Sequence, residues 1–172
     1  MRYKITDNFY LDEFIHPDYM RKFGQNALWF IDHRIVTIAQ ELRNDLGVPI
    51  VINNYETGGG YKSSGLRTLG SKVGAKYSQH KYGRAIDCKF IGMEVKEVYD
   101  FLLHNQDKYF NLGLTTIENI EHTPTWLHLD CRLTGLTQYK IVNPRARRRE
   151  KKREQSAKRI ESRLRILPLG YS

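Results

Sequence analysis

The 172-residue chain contains no run of eighteen apolar residues, so no membrane-spanning helix is expected. Residues 1–7 carry no apolar segment of the kind a secretory signal contains. Cysteine is nearly absent, with only Cys88 and Cys131. The two read as reduced core residues of a protein made in the cytoplasm, with a bridge between them as the alternative. Three consecutive glycines, Gly58, Gly59 and Gly60, are not followed by Gly-Lys-Ser/Thr or a helix-opening pattern, which argues against a phosphate-binding Walker loop. They read instead as a loop at the rim of a site.

Charge is unevenly distributed. From Arg145 onward eleven Lys/Arg face three Glu, which accounts for +8 of the net +9 and leaves +1 for everything before it. Residues 1–143 therefore read as one nearly neutral domain and residues 144–172 as a basic C-terminal tail, helical or disordered. Pro144 suits the first turn of a helix. Ile160, Leu164 and Leu167 are the tail's spaced apolar residues. A tail of this kind is either a solvated segment or an anchor to an anionic polymer, such as cell-wall anions, lipid headgroups or nucleic acid. No aromatic residue stands among its basic ones, so base stacking is not indicated.

Within the domain, residues 8–20 read as an arm whose Phe9, Leu11 and Phe14 fill surface grooves. His16 precedes Pro17 and belongs to a turn. Leu28, Ile31, Ile35, Ile38, Leu42 and Leu46 recur at steps of three and four, which predicts a helix over residues 26–46 stopped by Gly47. His33 falls off that stripe and reads as a surface residue. Residues 49–53 are rich in β-branched side chains and predict a strand. A second helix over residues 93–104 would bury Val95, Val98, Tyr99 and Leu102. Residues 112–120 predict a strand that turns through 121–124 into the next one.

The chemistry concentrates in two stretches. Ser78, His80, Gly83, Ala85 and Asp87 follow the pattern Ser-x-His-x2-Gly-x-Ala-x-Asp, where a loop runs into a strand. Trp126, His128 and Asp130 alternate with Leu127, Leu129 and Cys131, as one face of a strand alternates with the other. Two imidazoles and a carboxylate on neighbouring strands make an N/N/O set of the kind zinc accepts. Asp130 shares the face of His128 and can orient it from behind.

Together the two strings resemble the zinc D-Ala-D-Ala carboxypeptidase family, which shares its core with hedgehog domains and includes phage endolysins. The resemblance spans residues 8–133. It implies that His80, Asp87 and His128 hold Zn2+. It also implies that Arg67, in the string Ser64-Gly65-Leu66-Arg67, binds substrate together with Ser78. A guanidinium suits that role because it grips a carboxylate or carbonyl through two parallel hydrogen bonds. Several members place an acid three residues before the second histidine, where this chain has Thr125. Hedgehog-like members place a glutamate at the end of the preceding strand, which Glu118 matches, with Glu121 as the alternative. Strand parity alone does not choose between them. His122 either assists near the reacting carbonyl or sits in the turn.

The expected fold is therefore α+β, an antiparallel sheet carrying the site with helices on one face. The expected function is zinc-dependent hydrolysis of peptidoglycan stem or cross-bridge peptides. The setting that fits is a phage lysin or virion component, made in the host cytoplasm and acting on the wall. An inactive zinc-binding module and a tail-led nucleic-acid-associated protein are the rival expectations.

Overall fold

Asp32 sets the start of the longest helix. Its side chain accepts the Arg34 backbone N–H at 3.2 Å, and the helix α3 runs His33–Leu46. Gly47 closes it in the left-handed region, with φ +67°. In this computed structural model, which describes residues 2–143, the helix is thus shorter than the 26–46 expected. Gly24–Phe30 forms a separate 3-10 helix instead, and Leu28 is 44% exposed. The Asp32 cap interrupts the apolar periodicity at that point. The remaining stripe, Ile35, Ile38 and Leu42, is buried as the spacing requires, and His33 is exposed.

The arm is not a surface appendage. It forms two helices, α1 (Leu11–Phe14) and α2 (Pro17–Phe23). Phe9, Leu11, Phe14 and Ile15 are at most 1% exposed and belong to the main core. Burial of each such side chain contributes about 1.5–3 kcal/mol. His16 caps α2, accepting the Asp18 backbone N–H at its Nδ1. Helix α4 (Val95–His104) is capped by Glu94, whose backbone N–H donates to the Glu97 carboxylate. It buries Val95, Val98, Tyr99 and Leu102. A further helix, α5 (Gln106–Asn111), follows it and pins the Tyr109 hydroxyl to Asp45 at 2.7 Å.

Five strands form one sheet in the order β1-β2-β4-β3-β5: β1 Ile50–Val51, β2 Ala85–Phe90, β3 Thr116–Glu118, β4 Leu127–Asp130 and β5 Lys140–Val142. The first three pairings in that order are antiparallel, but β5 lies parallel to β3, so the sheet is mixed rather than wholly antiparallel. The chain reverses after β4 and steps past β3 to the sheet edge. A strand running opposite to β4 then necessarily runs along β3. Strands β1 and β3 are shorter than expected: the chain bends at Ile52 and leaves the β1 ladder after Val51, and Gly113, at φ +99°, still belongs to the turn after α5.

Alternation divides the sheet into two faces. Ile86, Cys88, Leu127, Leu129 and Ile117 join side chains of α3 and α4 in one apolar core. Asp87, Lys89, His128, Asp130, Thr116 and Glu118 occupy the opposite parity. The chain divides into two units, Met1–Val142 and Asn143–Ser172. The expected basic tail lies outside the described residues. No helix among those described is long and apolar enough to cross a membrane.

Candidate metal centre

The strand register supplies the first contact of the site. Asp87 on β2 stands directly opposite His128 on β4. His80 comes from the short 3-10 helix Gln79–Tyr82, which ends at Gly83 with φ +66°. A Cβ on Gly83 would fall 1.9 Å from the Phe30 carbonyl oxygen, and the Gly83 carbonyl accepts the Asp32 N–H at 3.0 Å. Glycine is thus required there both by conformation and by close packing. That turn delivers His80 to the mouth of β2.

Three donor atoms converge. His80 Nε2 lies 3.2 Å from Asp87 Oδ1 and 3.2 Å from His128 Nδ1, and His128 Nδ1 lies 2.8 Å from Asp87 Oδ1. Donors about 2.0–2.1 Å from a tetrahedral ion stand about 3.3 Å apart, so this triangle fits one metal ion with little movement. The buried His80, Asp87 and His128 group can therefore hold a metal.

Each donor is aimed by a second hydrogen bond. His80 Nδ1 meets the Gly65 carbonyl at 2.9 Å, which leaves Nε2 to face the triangle. His128 Nε2 meets Asp130 Oδ2 at 3.2 Å, which leaves Nδ1 to do the same. The second oxygen of Asp87 accepts Arg67 Nη2 at 2.8 Å. Asp130 is fully buried and is itself held by Arg132, whose Nε lies 2.8 and 2.9 Å from its two oxygens.

These contacts govern protonation. Burial works against a charged His128, yet its hydrogen bonds to Asp130 and Asp87 outweigh that and push its pKa up to about 10. Without a metal, a proton occupies the place a cation would take. Burial pushes the His80 pKa down, which favours the neutral, ligating imidazole. Asp87 is half-buried and Asp130 fully buried, and desolvation would raise both. The imidazole of His80 beside Asp87 holds it well below the carboxylate range, and His128 and Arg132 bring Asp130 down to about 2.

The arm found in the core also serves the site. The Leu66 N–H donates to the Phe14 carbonyl at 2.7 Å, and the His16 N–H donates to the Leu66 carbonyl at 3.0 Å. A Cβ on Gly65 would lie 2.2 Å from the Phe14 oxygen, so only glycine lets this segment lie against the arm and offer its carbonyl to His80. Asn53, 1% exposed, ties the same region together. It accepts the Ser64 N–H at 2.9 Å and donates to the Ile15 carbonyl at 3.2 Å.

Among the residues expected to act beside the donors, Arg67 is buried at 7% exposure against Asp87. Ser78 lies near it: a Cβ on Gly74 would be 2.9 Å from Arg67 Nη1 and 3.6 Å from the Ser78 hydroxyl. Thr116 pairs with Asp130 and Ile117 with Leu129, so the next position in that register brings Glu118 toward His128. Burial raises the Glu118 pKa, and the charges of His128, Asp87 and Arg67 all act on it. Glu121 goes elsewhere. It is exposed in the 3-10 helix Ile120–His122, and its charge acts on Tyr99 of α4. His122 occupies that same turn, half-buried.

Cys88 and Cys131 are free and buried in the core, on the far side of the sheet from the donors. A cleft of about 350 Å³ opens beside Asp87, lined in part by Tyr61, Ser64, Arg67, Lys89 and Trp126. Sequence reasoning passed over Asn53 and Lys89. Strand parity was a signal for Lys89, which lies two residues beyond Asp87 and so on the same face. Comparison with known proteins adds no family: no family model, no curated protein and no solved structure matches the chain.

Proposed function

We propose that this cleft hydrolyses peptide bonds with Zn2+ held by His80, Asp87 and His128. The observation that carries the reading is the donor triangle, three atoms 2.8–3.2 Å apart, each aimed by a separate hydrogen bond and adjoined by a carboxylate. Zinc at such a set supplies a Lewis acid for a carbonyl and a lowered pKa for water.

The side chains supply the rest. Glu118 is the group that takes a proton on the site face and returns it to the departing amine. Its raised pKa moves it toward the range in which a carboxyl both accepts and donates near neutrality. Arg67 keeps the second Asp87 oxygen engaged through Nη2 and lines the cleft, where its guanidinium can meet the substrate carbonyl or carboxylate. Asp130 fixes the His128 ring and does not itself exchange protons near neutral pH, because its pKa is about 2.

The choice of peptidoglycan stem or cross-bridge peptides rests on the resemblance of the two motif strings, and so does a lysin-type setting. The test is digestion of purified peptidoglycan by the full zinc-loaded chain, with new termini identified by mass spectrometry. New amino and carboxyl termini within the peptides are expected. Zinc binding with intact peptides would overturn hydrolysis and favour a binding module.

A further inference from the structure

Among the described residues, the cleft contains a cation with no ion-pair partner. Lys89 is half-buried on β2, and its ammonium donates to the Ser64 hydroxyl at 3.0 Å and lies 4.2 Å from the centre of the Tyr61 ring. Among the described residues it makes no salt bridge. Three cations, Lys62, Arg67 and Lys89, line this cleft, and Asp87 is the one carboxylate lining it. That carboxylate already serves Arg67 and the metal donors. A half-buried ammonium whose nearest counter-charge, Asp87, is already shared with Arg67 and the histidines is costly unless a ligand supplies another. Its neighbours are arranged to hold it in place rather than to neutralise it: a hydroxyl that accepts one hydrogen bond and a ring face that attracts the charge. Ser64 is itself fixed, its N–H on Asn53 and its carbonyl on the Asp87 N–H at 2.7 Å.

We propose that Lys89 is a specificity-determining residue that reads a carboxylate on the bound peptide, so that the cleft prefers peptides bearing a carboxylate close to the bond at the metal. The inference deepens the peptidase reading of the same cleft and rests on it for the position of the bond. Asp87 and Lys89 are two residues apart on one strand, which separates their Cα atoms by about 6.6 Å. An extended peptide advances about 3.3 Å per residue, so a carboxylate one or two residues from the scissile carbonyl falls within that span. The carboxylate has two sources, the C-terminus of the peptide or an acidic side chain beside the bond. Trp126 and Tyr61 flank the cleft and give the peptide apolar surface without competing for the charge.

The experiment measures equilibrium binding of three N-acetylated peptides to the full zinc-loaded chain carrying E118Q, by calorimetry. One ends in a free acid, the second is its C-terminal amide, and the third is an amidated peptide with Glu beside the bond. K89M, which keeps the apolar stem, and K89R are made in the same background. A charge-assisted hydrogen bond predicts that the acid-bearing peptide binds about tenfold or more tightly than the plain amide. K89M should erase that preference and leave the amide unchanged, while K89R should keep most of it. Preference for the free acid identifies the C-terminus as the source, and preference for the Glu peptide identifies the side chain. Equal binding of all three peptides, or a preference that survives in K89M, overturns the proposal. Because binding is read without turnover, loss of hydrolysis in the parent chain leaves this result interpretable. Zinc content and melting temperature of K89M establish that it is folded.

Discussion

Asp130→Asn isolates the aiming of a metal donor from the donors themselves. In the native site Asp130 accepts His128 Nε2 at 3.2 Å and is clamped by Arg132. The amide keeps the volume, but the Arg132 side chain claims its oxygen and leaves the NH2 facing His128. A donor there favours the tautomer with its proton on Nδ1, the atom that must carry a free lone pair toward Asp87 and His80. Loss of such an orienting carboxylate typically weakens metal binding about 10–100-fold, equivalent to about 1.4–2.7 kcal/mol. Competition against a chromophoric chelator measures this directly. The metal-free variant should also show a His128 imidazole that titrates well below its native value of about 10, since one of the two hydrogen bonds that raise it is gone. Native metal affinity in Asp130→Asn, with an unchanged His128 titration, would refute the assignment of Asp130 as the group that aims the ring.

Three further outcomes follow from the same geometry. Glu118→Gln should retain metal and lose about 10²–10⁴-fold in rate, whereas Glu121→Gln, in the exposed turn, should hydrolyse peptides as the native chain does; the reverse pattern would exchange their roles. Apparent metal affinity should rise about tenfold per pH unit from neutrality toward pH 10, because the ion must displace the His128 proton and each unit of rising pH removes that competition; an affinity flat over that range, read by chelator competition, would contradict the raised pKa. Gly83→Ala should lower the melting temperature and the metal affinity together, since a Cβ there meets the Phe30 carbonyl at 1.9 Å at a backbone φ of +66°; an unaltered melting curve would remove the steric argument.

Asp87 and His128 were legible because they lie on short strands whose parity is visible in the string, and they do stand opposite each other; His80, on the 3-10 helix Gln79–Tyr82, was legible only from its place in the motif. Helices α3 and α4 were legible from their apolar spacing, and Gly47 from its place after it. What the string concealed depends on tertiary contact. Phe9, Leu11 and Phe14 have no periodicity that distinguishes a surface groove from the core. The separation of 24–30 from α3 is set by the Asp32 cap, which competes locally with a stripe that continues through it. Strand β5 has only three residues, and its parallel pairing with β3 follows from the path taken after β4. The roles of Gly65 and Asn53 exist only because the arm lies against them.

The most direct test of the central claim is peptide-bond hydrolysis as a function of zinc added to the metal-free full-length chain, with bound zinc measured in the same samples. The account predicts that hydrolysis of peptidoglycan peptides rises in step with bound metal and saturates at about one equivalent, the capacity of a single three-ligand site. His128→Ala, lacking one donor of the triangle, should show neither tight zinc nor turnover. Stoichiometric zinc on the native chain with the peptides left whole, or hydrolysis undiminished in His128→Ala, would contradict it.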